Sequence, residues 1–172
     1  MSYDFILKLL ILYYISQKHG INCCNQKRTR TEACEMLIAI DEPLYENFNR
    51  NFKNLTNLVK LHVQELNNIF QKSVFKGEKY EKVYFRIKEI RFLSEFCAGC
   101  QLSKDVFLNE FSKMNTSMYC LAHLFTYRDF PNGITGYAFT PDAAKNYVGG
   151  ICYKQNNAGF TTFLNHKVNK LN

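Results

Sequence analysis

The segment "YCLAHLFTY", Tyr119 to Tyr127, carries apolar or aromatic side chains at every position except His123 and Thr126. Successive strand residues point to opposite faces, so a strand with no polar face must be covered on both sides. Such a strand belongs at the centre of a sheet flanked by two layers. The rest of the chain supplies them. "CEMLIAID" (34–41) is a short apolar run stopped by Asp41-Glu42-Pro43, which predicts a second buried strand. Between 49 and 71, Phe52, Leu55, Leu58, Val59, Val63, Leu66, Ile69 and Phe70 recur at spacings of three and four, which predicts an amphipathic helix facing a sheet. In "KVYFRIKEIRFL" (82–93), Val83, Phe85 and Ile87 share one face, and Ile90 and Phe92 follow one residue out of phase. A bulge at Lys88-Glu89 would restore the alternation. "KDVFLNEFSKM" (104–114) places Val106, Phe107, Glu110 and Met114 at helical spacing. The order strand–helix–strand–helix–strand predicts an α/β fold with right-handed crossovers and a mainly parallel twisted sheet. His62 and His123 both fall on apolar faces, where a packed core histidine is the expected role.

A fold of this class often binds nucleotides, but this chain lacks the means. After "LIAID" comes Glu-Pro-Leu-Tyr-Glu, with no glycine where a phosphate would approach backbone N–H groups. Neither G-x-G-x-x-G nor G-x-x-x-x-G-K-[ST] occurs anywhere. The net charge of +7 does not point to nucleic acid either. Lys and Arg are spread along the chain, and only Lys27, Arg28 and Arg30 cluster tightly.

Seven cysteines, two N-x-S/T sequons at Asn54 and Asn115, and the apolar start "MSYDFILKLLILYYI" together favour an oxidising, secretory or extracellular setting. The apolar start is interrupted by Lys8 and too short to span a bilayer, so residues 1–20 read as a signal peptide. Residues 21–33 read as a basic linker. "CAGC" (97–100) follows a strand, whereas a redox-active C-x-x-C normally opens a helix. A loop disulfide or half of a zinc site is the expected role there.

Beyond the central strand, "RDFPNG" (128–133) predicts a tight reversal, and "ITGYAFT" (134–140) is expected to run back as an edge strand. Gly136 lacks a side chain at a point where another backbone could approach. An edge of this kind can accept an extended peptide as an additional strand. "VGGIC" (148–152) then forms a second glycine corner.

"CLAHLFTYRDF" (120–130), Gly133, "TGYAF" (135–139) and "GGIC" (149–152) resemble the adamalysin-type catalytic domain of the ADAM metalloproteases. Within that family the likeness is to the branch of the tumour necrosis factor-α-converting and Kuzbanian-type sheddases. "YFRIKEIRFL" (84–93), Cys34 and "TTFLNH" (161–166) support it, the last resembling the strand before the family's zinc helix. The resemblance runs from about Arg28 to the C-terminus. It implies a zinc endopeptidase that sheds membrane-anchored proteins and binds an extended peptide or protein substrate antiparallel to Thr135, Gly136, Tyr137 and Ala138. It also implies a processing site at Lys27, Arg28 and Arg30, and a Cys34–Cys120 disulfide. The pairing suits a parallel sheet, where the starts of two strands lie along one edge.

The departure from the family lies at the metal. Metzincins hold zinc with H-E-x-x-H-x-x-G-x-x-H, whose glutamate is the general base. The histidines here are His19, His62, His123 and His166, none four apart, and there is no H-E pair. Residues 34–172 therefore read as the N-terminal half of the catalytic domain, with no catalytic or metal-ligating residue. Zinc and membrane attachment would come only with the remainder of a full-length protein, and the chain alone is expected to be inactive. The alternative is a secreted, non-catalytic peptide-binding or decoy module on the same scaffold.

Overall fold

The computed structural model describes residues 33–72, 84–140, 149–150 and 153–164. The expected signal peptide and processing site, with His19, Cys23, Cys24, Cys152 and His166, lie outside the described residues. Strand β1 (Cys34–Asp41) leads into a short helix α1 (Glu42–Asn47) and then the long helix α2 (Phe52–Lys72). Next come β2 (Phe85–Leu93), α3 (Lys104–Ser112), β3 (Leu121–Thr126), a 3-10 turn (Pro131–Gly133), β4 (Gly136–Ala138) and β5 (Ala158–Thr162).

The five strands form one sheet in the order β2-β1-β3-β5-β4. All neighbours are parallel except β4 and β5, which are antiparallel. β3 is the middle strand, and all six of its residues are buried, as its apolar faces require. The expected bulge is present. Met36 pairs with Ile87 but Leu37 pairs with Glu89, so Lys88 is the extra residue.

Alternation divides the core. Met36, Ile38, Ile40, Leu121 and Phe125 face α2, whose buried side includes Leu55, Val59, Leu66 and Phe70. Leu37, Ala39, Ala122, Leu124 and Phe160 face α3 on the opposite side. His62 and His123 are both core residues, as the sequence suggests.

One boundary needs correction. The long helix begins at Phe52 rather than Asn49, because Asn49 and Arg50 adopt φ of 51° and 57° to turn the chain between helices. Asn51 then caps α2 by accepting the Asn54 N–H at 3.0 Å. The shorter helix is present as α3, and its buried face is Phe107, Leu108 and Phe111. Phe107 turns the helix this way, with ring centroids 5.1 Å from Phe130 and 5.0 Å from Phe160. The segment after "RDFPNG" runs back as an edge strand, as expected, and its partner is β5. β5 inserts between β3 and β4, and the strand seen in "TTFLNH" lies earlier, at Ala158–Thr162.

Cys34 and Cys120 are joined by a disulfide across a Cα separation of 5.2 Å, linking the start of β1 to the residue before β3. Asn157 secures the same end of the sheet. Its Oδ1 accepts from the Thr116 hydroxyl at 2.7 Å, and its Nδ2 donates to the carbonyls of Thr116 and Tyr119.

Candidate functional site

The register of β4 against β5 decides which of its backbone groups face outward. The Thr135 carbonyl accepts from Thr162 N–H at 2.9 Å, and Phe139 N–H donates to the Ala158 carbonyl at 3.1 Å. In an antiparallel pair, hydrogen-bonded and non-hydrogen-bonded positions alternate. Thr135, Tyr137 and Phe139 therefore direct their N–H and C=O groups toward β5. Gly136 and Ala138 direct theirs away from it, along the outer edge. Of the four residues expected to contact substrate, two offer backbone groups and two hold the strand in place.

The side chains of β4 divide similarly. Tyr137 packs with the α3-side core, where the Lys104 ammonium sits 4.3 Å from its ring centroid, while Ala138 packs with the α2 side. The turn leading into β4 has φ of 61° at Asn132 and 67° at Gly133. That conformation favours these residue types.

A close approach within the sheet lies at Gly159, directly opposite Ala138 in β4. A Cβ on Gly159 would stand 2.9 Å from the Ala138 Cβ and 3.4 Å from the Tyr137 carbonyl oxygen. Ala138 Cβ is fixed to the backbone, so β4 itself would have to move. Gly159→Ala is expected to lower unfolding stability by about 1–3 kcal/mol, the usual cost of overpacking. Adding Ala138→Gly should restore most of it. Urea unfolding of the single and double variants checks this, and no recovery in the double variant would contradict it.

At the opposite end of β3 a buried ion pair ties the layers together. Asp41 Oδ2 accepts from the Thr126 hydroxyl at 2.7 Å and from Arg128 Nε at 3.0 Å, and Asp41 Oδ1 caps α1 through Leu44 N–H. Arg128 also donates from Nη2 to the Phe96 carbonyl at 2.8 Å, and its own carbonyl accepts from the Thr162 hydroxyl at 2.7 Å. Burial pushes the Asp41 carboxyl above its ordinary range, against the hydrogen bonds from Thr126 and Arg128. These contacts fix where β1, β3 and β5 end. They form a positioning network that no local sequence pattern announces.

The described histidines do not fit a metal centre. His62 Nδ1 donates to the Leu58 carbonyl at 2.8 Å, and its ring packs against Phe125 and Phe163. His123 Nε2 lies 3.0 Å from the Thr161 hydroxyl, and burial lowers its pKa to about 4. Among the described residues no group of three or more His, Cys, Asp or Glu side chains could hold a metal ion. Both sequon asparagines are exposed, Asn54 in the first turn of α2 and Asn115 in the loop after α3. "CAGC" contains a disulfide between Cys97 and Cys100. Among the described residues, no helix is long and apolar enough to cross a membrane.

Residues 30–170 match the profile of the metallopeptidase family M12, of the reprolysin type. The chain belongs to the M12 metallopeptidases. M12 peptidases are zinc-dependent in general. The chain is 26% identical over 170 residues to a disintegrin and metalloproteinase domain-containing protein 10 homolog of Caenorhabditis elegans, covering 77% of this chain. It is 28% identical over 128 residues to disintegrin and metalloproteinase domain-containing protein 10 of Xenopus laevis, covering 69% of this chain, and 26% over 147 residues to that of Homo sapiens, covering 79%. It spans only 18%, 17% and 19% of those relatives' own lengths. A solved structure described as a chaperone–substrate complex shares the fold, with a TM-score of 0.51 at 11% identity, over 77% of this chain and 21% of that one. The mixed sheet with its antiparallel edge pair and flanking helices is consistent with a metzincin catalytic domain.

Proposed function

We propose that this chain is the substrate-strand portion of an ADAM-type zinc metalloendopeptidase of the ectodomain-shedding class. It retains the edge that holds an extended peptide and lacks the residues that would bind zinc. One observation carries the reading: β4 is an outer strand whose Gly136 and Ala138 groups point away from β5, in a chain of the M12 family. A peptide laid antiparallel there would gain main-chain hydrogen bonds from those two residues. The chain alone does not hydrolyse peptides, because its sequence contains no H-E-x-x-H to bring a zinc-activated water. The same edge without chemistry also supports a second reading, a secreted decoy that sequesters substrate peptides.

On either reading the chain enters the secretory pathway. Residues 1–20 act as its signal peptide, Asn54 and Asn115 carry glycans, and cleavage near Lys27, Arg28 and Arg30 releases the domain at 34–172.

The test is binding of a fluorescent extended peptide, with the sequence of a shed ectodomain stalk, to the 172-residue chain. Gly136→Pro deletes an outward N–H without removing a hydrogen bond to β5, and edge strands accept proline on that side. It should weaken binding by about tenfold, the equivalent of about 1.4 kcal/mol, while circular dichroism and the unfolding midpoint stay near those of the parent. Unchanged affinity in a folded Gly136→Pro variant would contradict edge-strand binding. Zinc-dependent turnover by the purified chain would contradict the assignment of inactivity.

A further inference from the structure

The two disulfides differ in the features that govern reduction. Cys34 is buried and Cys120 half-buried, and their bond ties the start of β1 to the residue before β3 across 86 positions of sequence. Cys97 and Cys100 lie three residues apart in the turn between β2 and α3, both half-buried around an exposed Ala98 and Gly99. The backbone of this turn is left-handed at Glu95, Cys97 and Gly99, with φ of 56°, 56° and 76°. Side chains other than glycine rarely adopt that conformation unless the surroundings impose it. Access governs thiolate attack on a disulfide, and both sulfurs of the turn are half-buried, whereas Cys34 is enclosed in the core and leaves only the Cys120 side open.

What lies beneath the turn gives its redox state a consequence. The Phe96 ring packs into the α3-side core, 5.3 Å from Phe107 and 6.3 Å from Phe111. Its carbonyl is the outer anchor of Arg128, whose other contacts reach Asp41 and Thr162. We propose that Cys97–Cys100 is a thiol-exchangeable redox site, reduced by a dithiol of the C-x-x-C oxidoreductase class, and that its opening loosens Arg128 and the ends of β3 and β5.

The exchange balances within the two partners. A reductant thiolate attacks one sulfur and breaks the Cys97–Cys100 bond, and the other cysteine leaves as a thiolate and takes a proton. The reductant's second thiol, on losing its proton, displaces the first cysteine. The chain gains two electrons and two protons, and the reductant closes its own disulfide. None of this depends on whether a peptide binds β4.

The experiment titrates the folded 172-residue chain with dithiothreitol, followed by differential alkylation and peptide mapping. Cys97 and Cys100 should become labelled at a dithiothreitol concentration at least tenfold below that which labels Cys34 and Cys120. Amide exchange at Arg128 and Thr162 should then quicken, and Cys97→Ser/Cys100→Ser should reproduce that change without reductant. Simultaneous opening of both pairs, or earlier opening of Cys34–Cys120, overturns the proposal. Selective opening with unchanged exchange at Arg128 and Thr162 overturns it as well.

Discussion

Replacing both Cys34 and Cys120 by serine is expected to lower the unfolding free energy by about 4–5 kcal/mol, a loss large enough to decide whether the chain folds. The bond closes a loop with a sequence separation of 86. In the chain-entropy account, a loop of that length removes about 4–5 kcal/mol worth of freedom from the unfolded chain. The same account gives only about 2 kcal/mol for Cys97 and Cys100, whose loop is a few residues long. Urea unfolding of the two double variants therefore separates a framework disulfide from a local one. The Cys34→Ser/Cys120→Ser variant should unfold at a far lower urea concentration, or fail to fold at about 37 °C. Equal losses in the two variants would contradict this.

Acidification should destabilise the fold well above the usual carboxylate range. His123 is neutral and buried in β3, packed against Phe125 and beside the Thr161 hydroxyl, and its pKa falls from the ordinary 6.5 to about 4. Burial is the main cause, with the charge of the nearby His62 second. Below pH 6.5 the unfolded chain takes up a proton that the folded chain refuses. Stability is thus fully present above about 6.5 and is lost at up to about 1.4 kcal/mol per pH unit until about pH 4, a total of roughly 3 kcal/mol. His62, also lowered by burial, acts with the same sign. Asp41, raised by burial, acts with the opposite sign and nearer the carboxylate range. Unfolding measured at about pH 7 and about pH 5 should show the loss, and His123→Gln should flatten it. A parent protein equally stable at both values would contradict the account.

Legibility in the sequence follows the range of the interaction. β3 is readable because its six residues have no polar face, and the bulge at Lys88 because the alternation of β2 breaks there. The family resemblance likewise points to Thr135–Ala138 without any knowledge of register. Which of those residues turns its backbone outward depends on pairing with β5, a short strand beginning Ala158-Gly159 that carries little apolar signal of its own. Gly159 is the available hint, since a glycine inside a strand often marks a close backbone approach. The Asp41–Arg128 pair lies beyond local pattern reading, because its members are 87 residues apart and meet only after three strands have assembled. Spacing alone leaves the buried face of α3 open for a related reason. Periodicity admits neighbouring stripes, and the contacts of Phe107 with Phe130 and Phe160 select among them.

The most direct test of the central claim is residue-resolved amide exchange on the 172-residue chain with and without an extended substrate-like peptide. The account predicts slowed exchange at Gly136 and Ala138, whose N–H groups point away from β5, and little change at Tyr137 and Phe139, which are already directed toward it. Protection confined to α2 or to the outer edge of β2, with Gly136 and Ala138 unaffected, would contradict it.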